Sequence, residues 1–365
     1  MTTGELPVLR PGYQHHLQPT PRGWLFMGRH GGPCDKSCLM CYYAFQNQLT
    51  FYTLDTLLAT ANLFRHHYGL AACDISGGEA TIFGPKDKQG RRPQLEALVR
   101  HCAQIGLRPT IITHGQNNTA ELVAGLEGAG LEDWLISLHG MPSGHEQTVV
   151  DHQGKGAGGW QRLVDGLKHI TRPVRFNFTA QNFNYRELPE LSRWLADNQK
   201  PTVWNIIRFN PFFAWNERPD IDFQEKQTAM APYVGEAVAI AEAAGWEVNC
   251  RYFEPCIAAP HGFAKNCVGF YQTQYDEWEW SLSATNRTPK HVADQVGGWH
   301  QANLLHCNQI ADGRANDKCK ACRFFGTVCE GPPEQYVERY GLDEFTPSAG
   351  QRVTDPTYFA KGGAF

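Results

Sequence analysis

The chain carries 12 cysteines in 365 residues, and they are unevenly spread. Cys34, Cys38, Cys41, Cys73 and Cys102 lie toward one end. Cys250, Cys256, Cys267, Cys307, Cys319, Cys322 and Cys329 lie toward the other, with none between the two groups. The content is far below the ~8–10% of a disulfide scaffold. In a cytosolic chain, clustered thiols read as metal ligands or catalytic groups before they read as disulfides. The tightest group, Cys34-x3-Cys38-x2-Cys41, can reach three irons of one cubane from a single short loop. A four-iron cluster has four corners, so one iron keeps no protein ligand. Such an open position is what a catalytic metal site needs and a structural one avoids. Two other readings fit the spacing: a zinc site that borrows His30, and an ordinary electron-transfer cluster.

Cys319-x2-Cys322-x6-Cys329 forms a second candidate metal site, suited by its sulfurs to zinc as well as to iron. Cys73 and Cys102 read as small buried core residues. Of the 15 histidines, the pairs His15-His16 and His66-His67 lack ligand spacing. His139 and His145 are candidates for either the active face or the core. Trp204, Phe209, Phe212, Phe213 and Trp215 could line an apolar pocket, although such a run is more often core.

These residues need a scaffold, and the middle of the chain supplies one. Strand-like runs rich in Ile, Val, Phe and Trp fall at Trp24–Met27, Ala72–Ile75, Pro109–Thr113, Asp133–His139, Val174–Ala180 and Val203–Phe209. Helical patterns lie at Leu54–His66, Gln94–Gln104, Glu121–Leu126, Trp160–His169, Glu187–Asp197 and Phe223–Ala244. The alternation predicts a parallel sheet with right-handed crossovers. Six units are too few for an eight-fold barrel, so the fold class is α/β, a partial (β/α)6 TIM-like barrel. Its site belongs at the carboxyl ends of the strands, where glycine and polar residues follow each run. After residue 246 the periodicity fades and Gly, Pro, Asn and Cys become frequent. The expected organisation is an N-terminal extension (1–23), the barrel (24–245), a small irregular cysteine-rich domain (246–345) and a C-terminal surface tail (346–365).

With these elements in place, the motifs resemble those of the radical S-adenosylmethionine (radical SAM) superfamily. Cys34, Cys38 and Cys41 match its CX3CX2C signature, and Gly77-Gly78-Glu79 matches its glycine-rich motif after the second strand. Ser137-Leu138-His139-Gly140 and Thr113-His114-Gly115 look like its segments after the fourth and third strands. Two positions depart from the pattern: Met40 stands where an aromatic residue usually precedes the third cysteine, with Tyr42 and Tyr43 following, and Ala80 replaces a common proline.

The resemblance implies a [4Fe-4S] cluster with an open iron site, chelated by the amino and carboxylate groups of S-adenosylmethionine. It implies that Gly77 and Gly78 let the backbone approach the methionine closely, and that Glu79 accepts hydrogen bonds from its ammonium group. Ser137, Asn177 and Thr113 are implied as hydrogen-bond partners of the cofactor. Arg208 is implied as a partner of the methionine carboxylate or of an anionic substrate group. The C-terminal cysteines resemble a SPASM or twitch-like region holding a second [4Fe-4S] cluster. Cys319, Cys322 and Cys329 would be its ligands, with Cys256, Cys267 and Cys307 competing for the fourth place, Cys256 or Cys267 ahead. The implied activity is reductive cleavage of S-adenosylmethionine to a 5′-deoxyadenosyl radical that abstracts a hydrogen atom from a ribosomally made peptide. The modification would be a crosslink, thioether, epimerisation or excision. The alternatives are a radical SAM dehydrogenase or mutase of a small metabolite, and a non-catalytic iron–sulfur or zinc protein in electron transfer. The implied partners are an electron donor such as flavodoxin or ferredoxin and a separate peptide-recognition protein.

Composition bounds these readings. The chain is 42% hydrophobic with a net charge of −4, which excludes whole-chain disorder. No apolar run reaches the ~18 residues of a membrane span, and residues 1–22 lack the hydrophobic segment of an export signal, so a cytoplasmic location is expected. A pI of 6.4 argues against a nucleic-acid partner.

Overall fold

The structure is a computed structural model that describes residues 22–28, 32–41, 50–67, 70–199, 201–210, 222–268, 317–326, 328–329, 331–354, 358–359 and 362–365. Eight parallel strands form one sheet in chain order: β1 (Arg22–Phe26), β2 (Ala72–Ser76), β3 (Arg108–Thr113), β4 (Asp133–Ser137), β5 (Val174–Ala180), β6 (Val203–Arg208), β7 (Glu247–Arg251) and β8 (Cys267–Val268). That order leaves β1 and β8 at the two edges, so the sheet is the open, partial barrel expected from the alternation. It is longer than six strands, because β7 and β8 lie beyond residue 246, where the sequence pattern fades.

Helices connect the strands: α1 (Leu54–Asn62), α2 (Pro93–Gln104), α3 (Ala120–Gly128), α4 (Pro142–Thr148), α5 (Gly159–Leu167), α6 (Leu188–Asn198) and α7 (Gln227–Ala243). Their starts and faces follow local chemistry. Thr53 caps α1 by accepting from the Thr56 N–H, and Thr119 caps α3 by accepting from Leu122. On α2, Leu95, Leu98, Val99 and Cys102 recur at helical spacing and are buried. The predicted helix to His66 is α1 followed by a π-helical turn at Leu63–His67. Helix α4 has no apolar repeat. It stands because the Glu187 carboxylate accepts from Met141 N (2.8 Å) and Gly144 N (3.1 Å) at its amino end.

Strand alternation divides the sheet into two faces. Trp134, Ile136, Phe176, Phe178, Trp204 and Ile206 are fully buried in the core shared with the helices. The other parity faces the barrel interior and mixes polar side chains with a few apolar ones such as Leu135 and Ile207. At its lower end Arg175 donates to Asp133 (2.6 Å) and Thr110 (3.0 Å) and lies 3.5 Å from Asp74, a buried charge cluster that plugs the amino ends of β2 to β5.

Beyond β7 come α8 (Pro255–Ala258), α9 (Asp317–Lys320) and α10 (Glu334–Tyr340). Tyr336 and Phe345 join the main core, while Phe324, Val328, Val353 and Phe359 form a small second core. The stretch from Thr346, expected as a surface tail, therefore contributes two buried side chains, Val353 and Phe359. Buried apolar contact holds it down, and Arg323 N donates to Ser348 O at 2.8 Å.

Candidate functional site

The loop that carries Cys34, Cys38 and Cys41 follows β1 and is pinned from two sides. From below, Glu79 N donates to Pro33 O (2.9 Å). From the side, Ser37 N and Leu39 N donate to Val150 O (2.8 Å) and Thr148 O (3.0 Å), just past and at the end of α4. His152 Nε2 reaches Cys34 O at 3.0 Å. Gly78 has φ +59, and a Cβ there would run into the carbonyl oxygens of Pro33 and Gly32. Glycine is what allows the turn after β2 to lie directly against the cysteine loop.

Burial pushes the Cys34 thiol up, and the Glu79 carboxylate adds to it. Burial does the same to Cys38, followed by the neighbouring Cys41 and Glu79. Three thiols that bear on one another beside a buried carboxylate are costly as bare anions and favourable around a cation. This donor set fits an iron–sulfur cluster.

Glu79 is buried, and its carboxylate accepts from Thr81 N (3.1 Å), Thr81 Oγ1 (2.5 Å), Thr113 Oγ1 (2.6 Å) and His114 N (3.0 Å). His114 Nδ1 accepts from Gln116 N (3.1 Å), which sets its proton on Nε2, 2.9 Å from Asp35 Oδ1 and 3.2 Å from Glu79 Oε2. Burial alone would lower this histidine, but Glu79 and Asp35 outweigh it and raise it. Burial would raise Asp35, but the His114 bond and the charges of His114 and Lys36 hold it down to about 2. Thr113, foreseen as a cofactor partner, thus props Glu79 from within. Asp35 and His114 escaped the sequence reading, although both lie inside motifs it quoted.

Ser137 and Asn177 stand side by side in register on β4 and β5. The row continues: Asn205 Nδ2 donates to Asn177 Oδ1 (2.7 Å), and Asn249 Nδ2 donates to Asn205 Oδ1 (3.0 Å). Asn205 and Asn249 were not foreseen, and only register on β6 and β7 reveals them. Arg208 does not join this row. It is buried, donates from Nε to Tyr252 O (2.7 Å) and stacks 4.8 Å over the Tyr336 ring. His139 and His145 are also buried, with parallel rings 6.5 Å apart. Their Nδ1 atoms accept from Thr179 N (3.0 Å) and His139 N (3.3 Å), and burial lowers both to about 3, so both are neutral.

The second group of cysteines converges. Cys256, Cys319, Cys322 and Cys329 line one cavity with Phe324 and Phe345. Helix α8 presents Cys256, and α9 presents Cys319. Gly331 N donates to Cys329 Sγ and Ser348 N to Cys322 Sγ, each at 3.4 Å. Burial pushes Cys256 up to about 12, and burial likewise raises Cys329. Four sulfurs with N–H donors behind two of them fit a cluster ligand set. Cys267 is elsewhere: it sits on β8 opposite Cys250, with its Sγ 3.6 Å from Phe263 O. Cys73 and Cys102 are buried with sulfurs 4.0 Å apart. His30, Tyr42, Tyr43, Phe212, Phe213, Trp215 and Cys307 lie outside the described residues.

No family model matches the chain. It is 30% identical over 250 residues to a PqqA peptide cyclase of Rhodopseudomonas palustris, an alignment covering 67% of this chain. The chain spans 60% of that relative's length. A probable GTP 3′,8-cyclase of Saccharolobus islandicus is 22% identical over 65% of this chain and 71% of its own. Among solved structures, SuiB of Streptococcus suis bound to its precursor peptide SuiA shares the fold at a TM-score of 0.59 and 15% identity, covering 91% of this chain and 75% of SuiB. The anSMEcpe structure with bound AdoMet shares it at a TM-score of 0.51 and 14% identity, over 64% of each chain. With the three-cysteine loop, the Gly77-Gly78-Glu79 turn and the open parallel barrel all in place, the chain's likeness is to radical SAM enzymes, and its cysteine-rich C-terminal region fits a SPASM-like extension.

Proposed function

We propose that the chain is a radical SAM enzyme that modifies a ribosomally made peptide. Cys34, Cys38 and Cys41 would hold a [4Fe-4S] cluster whose fourth iron takes S-adenosylmethionine. Together the cluster and S-adenosylmethionine supply, on reduction, a 5′-deoxyadenosyl radical for hydrogen-atom abstraction. The protein's part is positioning. Gly77 and Gly78 keep the rim of the site free of side chains, Glu79 sets a buried negative charge beside it, and Ser137 and Asn177 offer hydrogen bonds along one edge. Thr113 orients Glu79. Cys256, Cys319, Cys322 and Cys329 would hold a second [4Fe-4S] cluster.

The observation that carries this reading is the cysteine loop seated against Gly78 and Glu79, which leaves three sulfurs for a four-cornered cluster. The peptide substrate is supported by the 30% identity to a PqqA peptide cyclase and by the fold shared with SuiB. A small-metabolite substrate is the second reading, favoured by the likeness to a GTP 3′,8-cyclase. An electron donor such as flavodoxin or ferredoxin, a separate peptide-recognition protein and a cytoplasmic location belong to the same proposal. Among the described residues no helix is long and apolar enough to cross a membrane.

The test is anaerobic reconstitution with iron and sulfide, then addition of S-adenosylmethionine and dithionite. We expect about four irons per site and release of 5′-deoxyadenosine. Undiminished release from a Cys34→Ala variant would overturn the assignment.

A further inference from the structure

A second pocket lies beside the four-cysteine one and shares Glu254, Pro255 and Cys329 with it. Arg208 and Asn210, at the end of β6, line it. Arg208 is fully buried and spends Nε on Tyr252 O, but its Nη2 has no hydrogen-bond partner. Asn210 is only 8% exposed, and neither its Oδ1 nor its Nδ2 has a partner. Protein interiors keep such atoms paired, so three of them on one cavity wall ask for a ligand. The lining also includes Tyr252, held at φ +65, a backbone conformation that a bulky residue adopts only under constraint.

The unpaired atoms specify what fits. Two donors, Arg208 Nη2 and Asn210 Nδ2, require an acceptor, while Asn210 Oδ1 requires a donor. A carboxylate meets only the first need. It would also be repelled by Glu254 and Glu344, whose charges already bear on the Arg208 guanidinium. The backbone of one extended residue meets both needs at once, because its N–H and C=O turn to the same side. We infer that this cavity is a subsite for the backbone of one extended residue of the substrate chain, its carbonyl accepting from Arg208 and Asn210 and its own N–H donating to Asn210. This rests on the peptide reading above and deepens it, because a chain held here runs along the wall of the second cysteine site.

Ligand-observed NMR on the anaerobically reconstituted full chain tests it with four probes: N-acetylglycine N-methylamide (the methylamide), its depsipeptide analogue O-acetylglycolic acid N-methylamide (the ester), acetamide and acetate. The wild type should bind the methylamide about fivefold or more tighter than the ester, which keeps the carbonyl and loses the N–H. Asn210→Leu should erase that preference, and Asn210→Asp, of the same volume, should weaken the methylamide by a similar factor, with melting curves confirming that both variants fold. Equal binding of amide and ester to the wild type, or a preference untouched in both variants, would overturn the inference. So would acetate binding more tightly than the methylamide. Acetamide binding as well as the methylamide would overturn the peptide source in favour of a small amide. Release of 5′-deoxyadenosine by the wild type is scored separately. An amide preference without release sinks the proposed function alone, and release without a preference sinks this inference alone.

Discussion

The two cysteine groups, proposed above as cluster sites, present the same donor atom in different settings. At the barrel mouth, Cys34, Cys38 and Cys41 come from one short loop, a carboxylate sits against them, and polar side chains line the approach. In the C-terminal region, Cys256 joins Cys319, Cys322 and Cys329 from a distant segment, and phenylalanines share their cavity. Ligand number is the lesson. Three sulfurs leave a metal corner for chemistry, and four close it. Packing follows the same division: the first site is set by backbone hydrogen bonds to β2 and α4, the second by small apolar contacts around Phe324.

The contrast breaks most visibly on ligand removal. Replacing Cys38 by Ala should abolish release of 5′-deoxyadenosine and remove about four irons, read by product analysis and iron content. Replacing Cys256 by Ala should also remove iron, yet leave the spectrum of the first cluster in place. Cys267→Ala should retain all iron, because that sulfur lies on β8 away from the cavity. Iron lost from Cys267→Ala and kept in Cys256→Ala would reverse the assignment of the fourth ligand.

A smaller effect sharpens how the first site is held. Gly78→Ala forces a side chain into the Pro33 and Gly32 carbonyls at φ +59. It should cost about 1–3 kcal/mol, measured by denaturant unfolding, and lower iron at the first site with little change at the second.

Acid probes the support of the first site. His139 and His145 are held neutral down to about 3, against an ordinary value of 6.5. Between those values the unfolded chain binds more protons than the fold. Stability is therefore complete above pH 6.5 and falls as the pH drops toward 3, by about 1.4 kcal/mol per unit for each histidine. His145 sits on α4, whose end supports the cysteine loop, so His145→Gln should flatten the slope of melting temperature against pH.

Much of this was legible in the sequence. Val174–Ala180 was read with its observed ends, and the other five strands came within two residues, because buried strands of Ile, Val, Phe and Trp between turn residues have few other uses. Cys34, Cys38 and Cys41 stood out by local spacing, and Glu79 only through the resemblance of its motif. Helix α4 was not, since its support is Glu187, far along the chain. The His114 to Asp35 bond and the row from Asn177 to Asn249 were hidden for the same reason: register across strands brings them together, and no short window contains it. The four-cysteine cavity chose Cys256 over Cys267 through the packing of α8, which spacing does not express.

The most direct measurement is electron paramagnetic resonance of the reduced, reconstituted protein with and without S-adenosylmethionine. The account predicts that the signal of the cluster on Cys34, Cys38 and Cys41 changes on addition, while the signal that disappears in Cys256→Ala does not. A first-site signal indifferent to S-adenosylmethionine, or one showing a fourth protein ligand already on that iron, would contradict it.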